Sequence, residues 1–154
     1  MNNNFLLRII YWIVVGGGSG FLYAPGTMGT LLIGVPLVWF VNAAHGNAYV
    51  NWLIVGLTTG LVERMLAVTE PFFQGIDDPP CINIDEALGF LWAMHGLPLS
   101  VRSFVISFLL FRLFDITKIG GIDAVQRIGG AWGILADDIL AGLYTRFIMI
   151  MFFI

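Results

Sequence analysis

The sequence predicts an all-α fold: a compact, polytopic helical membrane protein of about four to six helices, with Gly-rich loops and short or half-buried segments. Three observations lead there. Of the 154 residues, 58% are hydrophobic and 11% charged, whereas a soluble domain is nearer 45–50% apolar and about 25% charged. The mean hydropathy is +0.90. The apolar runs are separated by clusters of glycine, proline and charge, which punctuate helices. The length fits one domain over residues 1–154. A net charge of −3 without a basic run gives no reason to expect nucleic acid. The lone Cys81 permits no internal disulfide and no paired-cysteine metal site.

The elements follow in order. Phe5 to Val15 is apolar, but 11 residues fall short of the roughly 20 needed to span, so an interfacial or half-buried helix is expected. It lacks a small-x-small cleavage site and is expected to be retained. Gly16 to Thr30 holds six of the 19 glycines, with Pro25, and reads as a loop whose N–H groups, with Ser19, Thr27 and Thr30, can face a phosphate. It lacks the Lys-Ser/Thr ending of a nucleotide-binding loop. Leu31 to Ala44 reads as a helix kinked at Pro36. A turn at His45-Gly46-Asn47 leads into a helix over about Ala48 to Ala67, with Trp39 and Trp52 placed as interfacial aromatics.

Glu70 to Asn83 is irregular, with three of the six prolines. It delivers Asp85-Glu86 to the start of a helix ending near Gly96. Ser100 to Thr117 is a further helix, apolar until Arg112 and Asp115, which share a face. Ile119 to Gly133 reads as a Gly-rich loop, after which Asp137-Asp138 open a helix over Ile139 to Ile154. Gly89 and Gly142 each follow an acid pair closely, and small residues there let helices approach.

Six of the ten acidic residues lie in or beside three stretches: Asp78, Asp85, Glu86, Asp115, Asp137 and Asp138. Taken as antiparallel hairpins, the apolar segments bring these acids to one membrane face with the Gly-rich loop, Arg112, Lys118 and Arg127. His45, His95 and Arg102 fall on the other face. Acid pairs at helix starts have a plain reading as caps and dipole partners, but capping does not explain their concentration beside Arg and Lys. Carboxylates crowded in an apolar chain repel unless a cation or protons offset them. Oxygen-only donors favour Mg²⁺ over Zn²⁺. Neighbouring basic residues would bind phosphate. Lys and Arg in short loops place this face in the cytoplasm. A small ion or solute transporter using the carboxylates is the alternative, but it would expect the acids at mid-membrane depth.

Four motifs in this order, GGGSGFLYAPGTMGTL, DDPPCINIDEALG, FRLFDITK and GGAWGILADDILAG, resemble the bacterial phosphatidylglycerophosphatase A family over about Gly16 to Gly142. The resemblance implies a multi-pass, Mg²⁺-dependent phosphatase of the bacterial inner membrane. Its substrate would be phosphatidylglycerophosphate in the bilayer, whose terminal phosphate is removed to give phosphatidylglycerol. It points to Asp85, Glu86, Arg112, Asp115, Lys118, Asp137 and Asp138 as catalytic. In this reading Mg²⁺ is held among Asp85, Glu86, Asp137 and Asp138, with Asp78 a further candidate. Arg112 and Lys118 bind phosphate, and Asp115 orients Arg112 or joins the metal shell. Ser19, Thr27, Thr30 and Arg127 are expected at the substrate. No Asp-x-Asp pair of the aspartyl-phosphate type is present, which favours water over Asp as the nucleophile. One departure stands out: the family's Pro-x-Pro-Ile run after the Lys is Ile119-Gly120-Gly121-Ile122 here, so a more flexible loop is expected. The family's Asp-Arg is Gln126-Arg127.

Overall fold

The computed structural model describes residues 3–44, 47–73, 76 and 79–154. Among these are eight α-helices and no strand. The longer ones are α1 (Asn3–Val14), α3 (Val35–Ala44), α4 (Ala48–Thr69), α5 (Ile84–Met94), α6 (Val101–Thr117) and α8 (Gly130–Phe152). Single-turn helices α2 (Pro25–Gly29) and α7 (Ile122–Gln126) complete the set. The expectations placed on His45 and Asp78 lie outside the described residues.

The short helix α5 is the hub. Nine of its 11 residues are buried, and at 1.5 Å per residue it is only about 16 Å long. Its contact with α8 depends on two glycines. A Cβ on Gly89 would lie 2.7 Å from the Asp138 carbonyl oxygen and 2.8 Å from the Phe111 ring. A Cβ on Gly142 would overlap the Gly89 carbonyl. The close approach read from these glycines is therefore present. On the α6 side, Phe90 meets Phe104, Phe108 and Phe111 with ring centroids 5.9–6.4 Å apart. Such tilted and edge-on arrangements suit aromatic quadrupoles.

The Gly-rich stretch also packs against the α5 entry. A 3-10 turn over Gly16–Phe21 reverses the chain through Gly17 and Gly18, at φ +65° and +102°. Gly20 then abuts the Cys81 carbonyl, and Gly29 abuts Asn83. Asn83 donates from Nδ2 to Ser19 Oγ at 2.8 Å and from its backbone N–H to the Val14 carbonyl. These glycines bring two backbones together, a use that glycine composition alone does not separate from a phosphate-binding loop. A π-turn over Thr30–Gly34 follows, with Val35 N–H bonded to the Thr30 carbonyl. This widened turn, immediately before Pro36, accommodates the ring where a regular turn would clash.

Three boundaries differ from expectation: the helix expected from Leu31 starts at Pro25, the loop expected over Ile119 to Gly133 contains α7, and the last helix starts early. Helix α8 begins at Gly130, so Asp137 and Asp138 lie two turns inside it and do not cap it. The glycines around it read as loop punctuation, yet Gly133 is a packing position. A Cβ there would stand 2.7 Å from the Gln126 carbonyl at the end of α7.

Apolar side chains face outward on every long helix except α5, among them Leu6, Phe40, Leu57, Leu109 and Phe147. Two stretches, Pro25–Asn42 and Tyr49–Phe73, are long and apolar enough to cross a bilayer. At the end of α5 away from its acids, His95 is buried against Trp52 (ring centroids 4.2 Å), and Arg146 lies 5.3 Å over the same indole.

Candidate active site

Three elements meet where α5 begins. Asp85 and Glu86 occupy its first turn. Arg112, Asp115 and Lys118 come from the last turns of α6, with Lys118 closing that helix at φ +50°. Asp137 and Asp138 come from the third turn of α8. Between them is a cavity of about 240 Å³, whose lining includes Gly26, Asp85, Glu86, Lys118, Asp137 and Asp138.

The acids divide into two groups. One oxygen each from Asp85, Glu86 and Asp138 lies within 4.8 Å of the others. The other two acids are held by cations. Lys118 Nζ donates to Asp137 Oδ2 at 2.6 Å and to Asp115 Oδ1 at 3.0 Å. Arg112 pairs with Asp115 Oδ2 at 2.6 Å. Asp137 Oδ1 also accepts the Asp138 backbone N–H at 2.9 Å. The structure thus gathers three of the four main metal candidates and gives Asp137 to Lys118. Helix geometry explains the split, since adjacent residues point about 100° apart.

Burial first, and then the Asp138 charge, push Glu86 from an ordinary 4.5 up to about 8. Burial would pull the Lys118 ammonium down, but the bond to Asp137 and the charges of Asp138 and Asp115 outweigh it and raise it. Glu86 Oε2 and Asp138 Oδ1 are buried without a hydrogen-bond partner. Buried oxygens left this way are costly, and a cation would satisfy them. The donor set is all carboxylate, so it fits a hard divalent ion such as Mg²⁺.

The remaining expected residues lie elsewhere. Ser19 Oγ donates to the Gly16 carbonyl at 2.8 Å while accepting from Asn83, and Thr30 Oγ1 donates to the Gly26 carbonyl at 2.9 Å. Both hydroxyls serve the local backbone. Thr27 is half-buried and is not part of the cavity lining. Arg127 pairs with Asp123 at 2.9 Å on the exposed surface of α7, beside a separate hollow of about 400 Å³. Sequence reasoning missed Gly26 as a site residue: a Cβ there would overlap Glu86 and stand 2.9 Å from an Arg112 terminal nitrogen. It also missed Asn83, which ties the Gly-rich segment to the acid pair. The side-chain amide just ahead of Asp85 was the available signal.

A family model described as phosphatidylglycerophosphatase A matches residues 12–153. The chain belongs to the phosphatidylglycerophosphatase A family. Among relatives, a Haemophilus influenzae protein named phosphatidylglycerophosphatase A is 32% identical, covering 91% of this chain and 86% of its own. An Escherichia coli protein of the same name is 29% identical, covering 89% and 79%. A Bacteroides thetaiotaomicron protein with the provisional name phosphatidylinositol-3-phosphatase is 31% identical, covering 90% and 89%. No solved structure matches. Membership of the phosphatidylglycerophosphatase A family makes the chain a phosphoric monoester hydrolase and speaks against the transporter reading. After Lys118 the chain makes a left-handed turn, with Gly120 and Gly121 at φ +74° and +87°. That turn is tied down by Tyr144, whose hydroxyl donates to the Gly120 carbonyl at 2.7 Å.

Proposed function

We propose that this protein removes the terminal phosphate of phosphatidylglycerophosphate, giving phosphatidylglycerol and inorganic phosphate, with Mg²⁺ as cofactor. We place it as one catalytic unit crossing the bacterial inner membrane several times, with the site open to the cytoplasm. The observation that carries the reading is the meeting, at one small cavity, of three clustered carboxylates with Lys118, and with Arg112 ion-paired to Asp115 of the cavity lining.

Asp85, Glu86 and Asp138 would hold the ion. Bound there, Mg²⁺ would supply Lewis-acid polarisation of the phosphate. Asp115 holds Arg112 and Lys118 together, so both cations are positioned before substrate arrives. The terminal nitrogens of Arg112 lie against Gly26 of the cavity lining, from where they would donate to a phosphate oxygen. Lys118 balances charge that develops on the transferred group. Asp115 and Asp137 are engaged in ion pairs and the other three acids form the cation cluster, which favours water as the nucleophile. The cavity of about 240 Å³ suits a headgroup and leaves the acyl chains in the bilayer.

The test is phosphate release by the purified protein in mixed micelles, with Mg²⁺ and then with chelator. Phosphatidylinositol 3-phosphate runs beside phosphatidylglycerophosphate, because one relative carries that name. Release from phosphatidylglycerophosphate that is lost with chelator supports the proposal. Release from the inositol lipid alone would overturn the substrate assignment.

A further inference from the structure

We propose that Tyr144 is a positioning residue for Lys118: from α8 it fixes the turn that follows this lysine and so keeps the ammonium between Asp115 and Asp137, in place for the phosphate. The proposal rests on the lipid-phosphatase reading above.

Lys118 is the only lysine in the chain. It ends α6 in a left-handed conformation, at φ +50°. For a residue with a Cβ this costs about 1–2 kcal/mol, and the position is ordinarily left to glycine. The Nζ must nevertheless meet carboxylates from two helices, Asp115 Oδ1 at 3.0 Å and Asp137 Oδ2 at 2.6 Å. Downstream stand Gly120 and Gly121, also left-handed, and glycine is the residue that restrains a backbone least. The local sequence therefore supplies strain and freedom together.

The restraint comes from α8. The Tyr144 hydroxyl donates to the Gly120 carbonyl at 2.7 Å, just beyond Lys118. Its ring packs edge-on against Phe114, with centroids 5.6 Å apart. The Phe114 carbonyl in turn accepts the Lys118 backbone N–H at 2.8 Å. One side chain thus touches the last turn of α6 before the lysine and the loop after it. Tyr144 also lies on the same side of α8 as Asp137, about two turns further along. Helix α8 therefore holds Lys118 at both ends, by its ammonium and by the turn that follows it. The fit is close, since a Cβ on Gly120 would stand 2.8 Å from the Tyr144 ring. Tyr144 is not part of the cavity lining, so it acts through Lys118 and not on substrate.

The experiment uses the purified protein in detergent. Tyr144→Phe keeps the ring on Phe114 and removes only the hydroxyl. Tyr49→Phe, at a ring 87% exposed on α4, is the control. With a single lysine in the chain, protein grown on isotope-labelled lysine gives one side-chain NMR signal, which belongs to Lys118. Without metal, Tyr144→Phe is expected to move that signal toward its position in the denatured chain, and the control to leave it in place. With Mg²⁺ and phosphatidylglycerophosphate, kcat is expected to fall about fivefold, equivalent to about 1 kcal/mol, the contribution of one ordinary hydrogen bond. KM and the Mg²⁺ requirement stay unchanged, because the three clustered acids are not touched. A tyrosine that only stabilises the fold would lower the melting temperature and leave both the Lys118 signal and kcat as they were, and that result overturns the proposal. A moved signal with wild-type kcat also overturns it. Should Tyr144→Phe not fold, Gly120→Ala breaks the same contact from the other side and is read in the same two ways. Absence of phosphate release by wild type overturns the functional reading instead, and the Lys118 signal, which needs no turnover, still decides whether Tyr144 positions it.

Discussion

Lys118 Nζ lies 2.6 Å from Asp137 Oδ2, which joins the end of α6 to the third turn of α8 and gives the two neighbouring acids of α8 different work. Asp137 fixes an ammonium, while Asp138 faces Asp85 and Glu86. Asn at either position keeps the shape and removes the charge. Asp137→Asn is expected to lower turnover about tenfold, about 1.4 kcal/mol, with an unchanged Mg²⁺ requirement. Asp138→Asn is expected to lose most turnover and raise that requirement. Phosphate release over a Mg²⁺ titration checks both, and identical Mg²⁺ curves for the two variants would remove the distinction.

Relief of crowding gives an opposite sign for stability. Asp138→Asn removes a charge from a carboxylate cluster, so the metal-free melting temperature is expected to hold or rise while activity falls. Thermal unfolding without Mg²⁺ measures it; a clear fall would show that the Asp138 charge stabilises the metal-free fold.

Glu86 makes the metal-free protein pH-sensitive. Its carboxyl is raised from an ordinary 4.5 to about 8 by burial and then by Asp138. Between those values the folded state binds a proton that the unfolded state has released, so stability falls as pH rises. The contribution is complete below about 4.5 and gone above about 8. Melting curves in chelator from pH 5 to 8 should slope downward, and Glu86→Gln should flatten them. A wild-type slope of the opposite sign would refute the assignment.

Arg112 offers a planar fork that a lysine cannot reproduce. With Asp115 already occupying part of that fork, Arg112→Lys is expected to lose at least about tenfold in kcat/KM, about 1.4 kcal/mol. Near-normal kinetics would mean that charge alone suffices.

Gly89 has no room for a methyl group beside Asp138 and Phe111. Gly89→Ala must push α5 from α8, at a cost of about 1–3 kcal/mol for overpacking, and carry Asp138 away from Asp85. Both melting temperature and Mg²⁺ affinity should drop. A variant as stable as wild type would indicate that the helices part without cost.

The glycine motif was legible in part: Gly89 and Gly142 read correctly as points of close approach because each follows an acid pair on a helical face. The glycines from Gly16 to Gly29 were not, since a glycine that admits a neighbouring backbone and one that cradles phosphate leave the same mark in a sequence. Arg127 carries the charge expected of a substrate contact, but its distance from the cavity depends on α7, a single turn with no periodicity to read.

By itself the sequence determined the helical class and pointed to the acids and Lys118 that meet at the cavity, because so apolar a chain has few charges and places them in only a few stretches. Tertiary structure decided which charges share a point. The early start of α8 sets the rotation of Asp137 and Asp138, turning one to Lys118 and the other to Asp85 and Glu86. Adjacent residues on a helix diverge by about 100°, so the pair's division of labour depends on how that helix is docked, and docking is set by glycine contacts far apart in the chain.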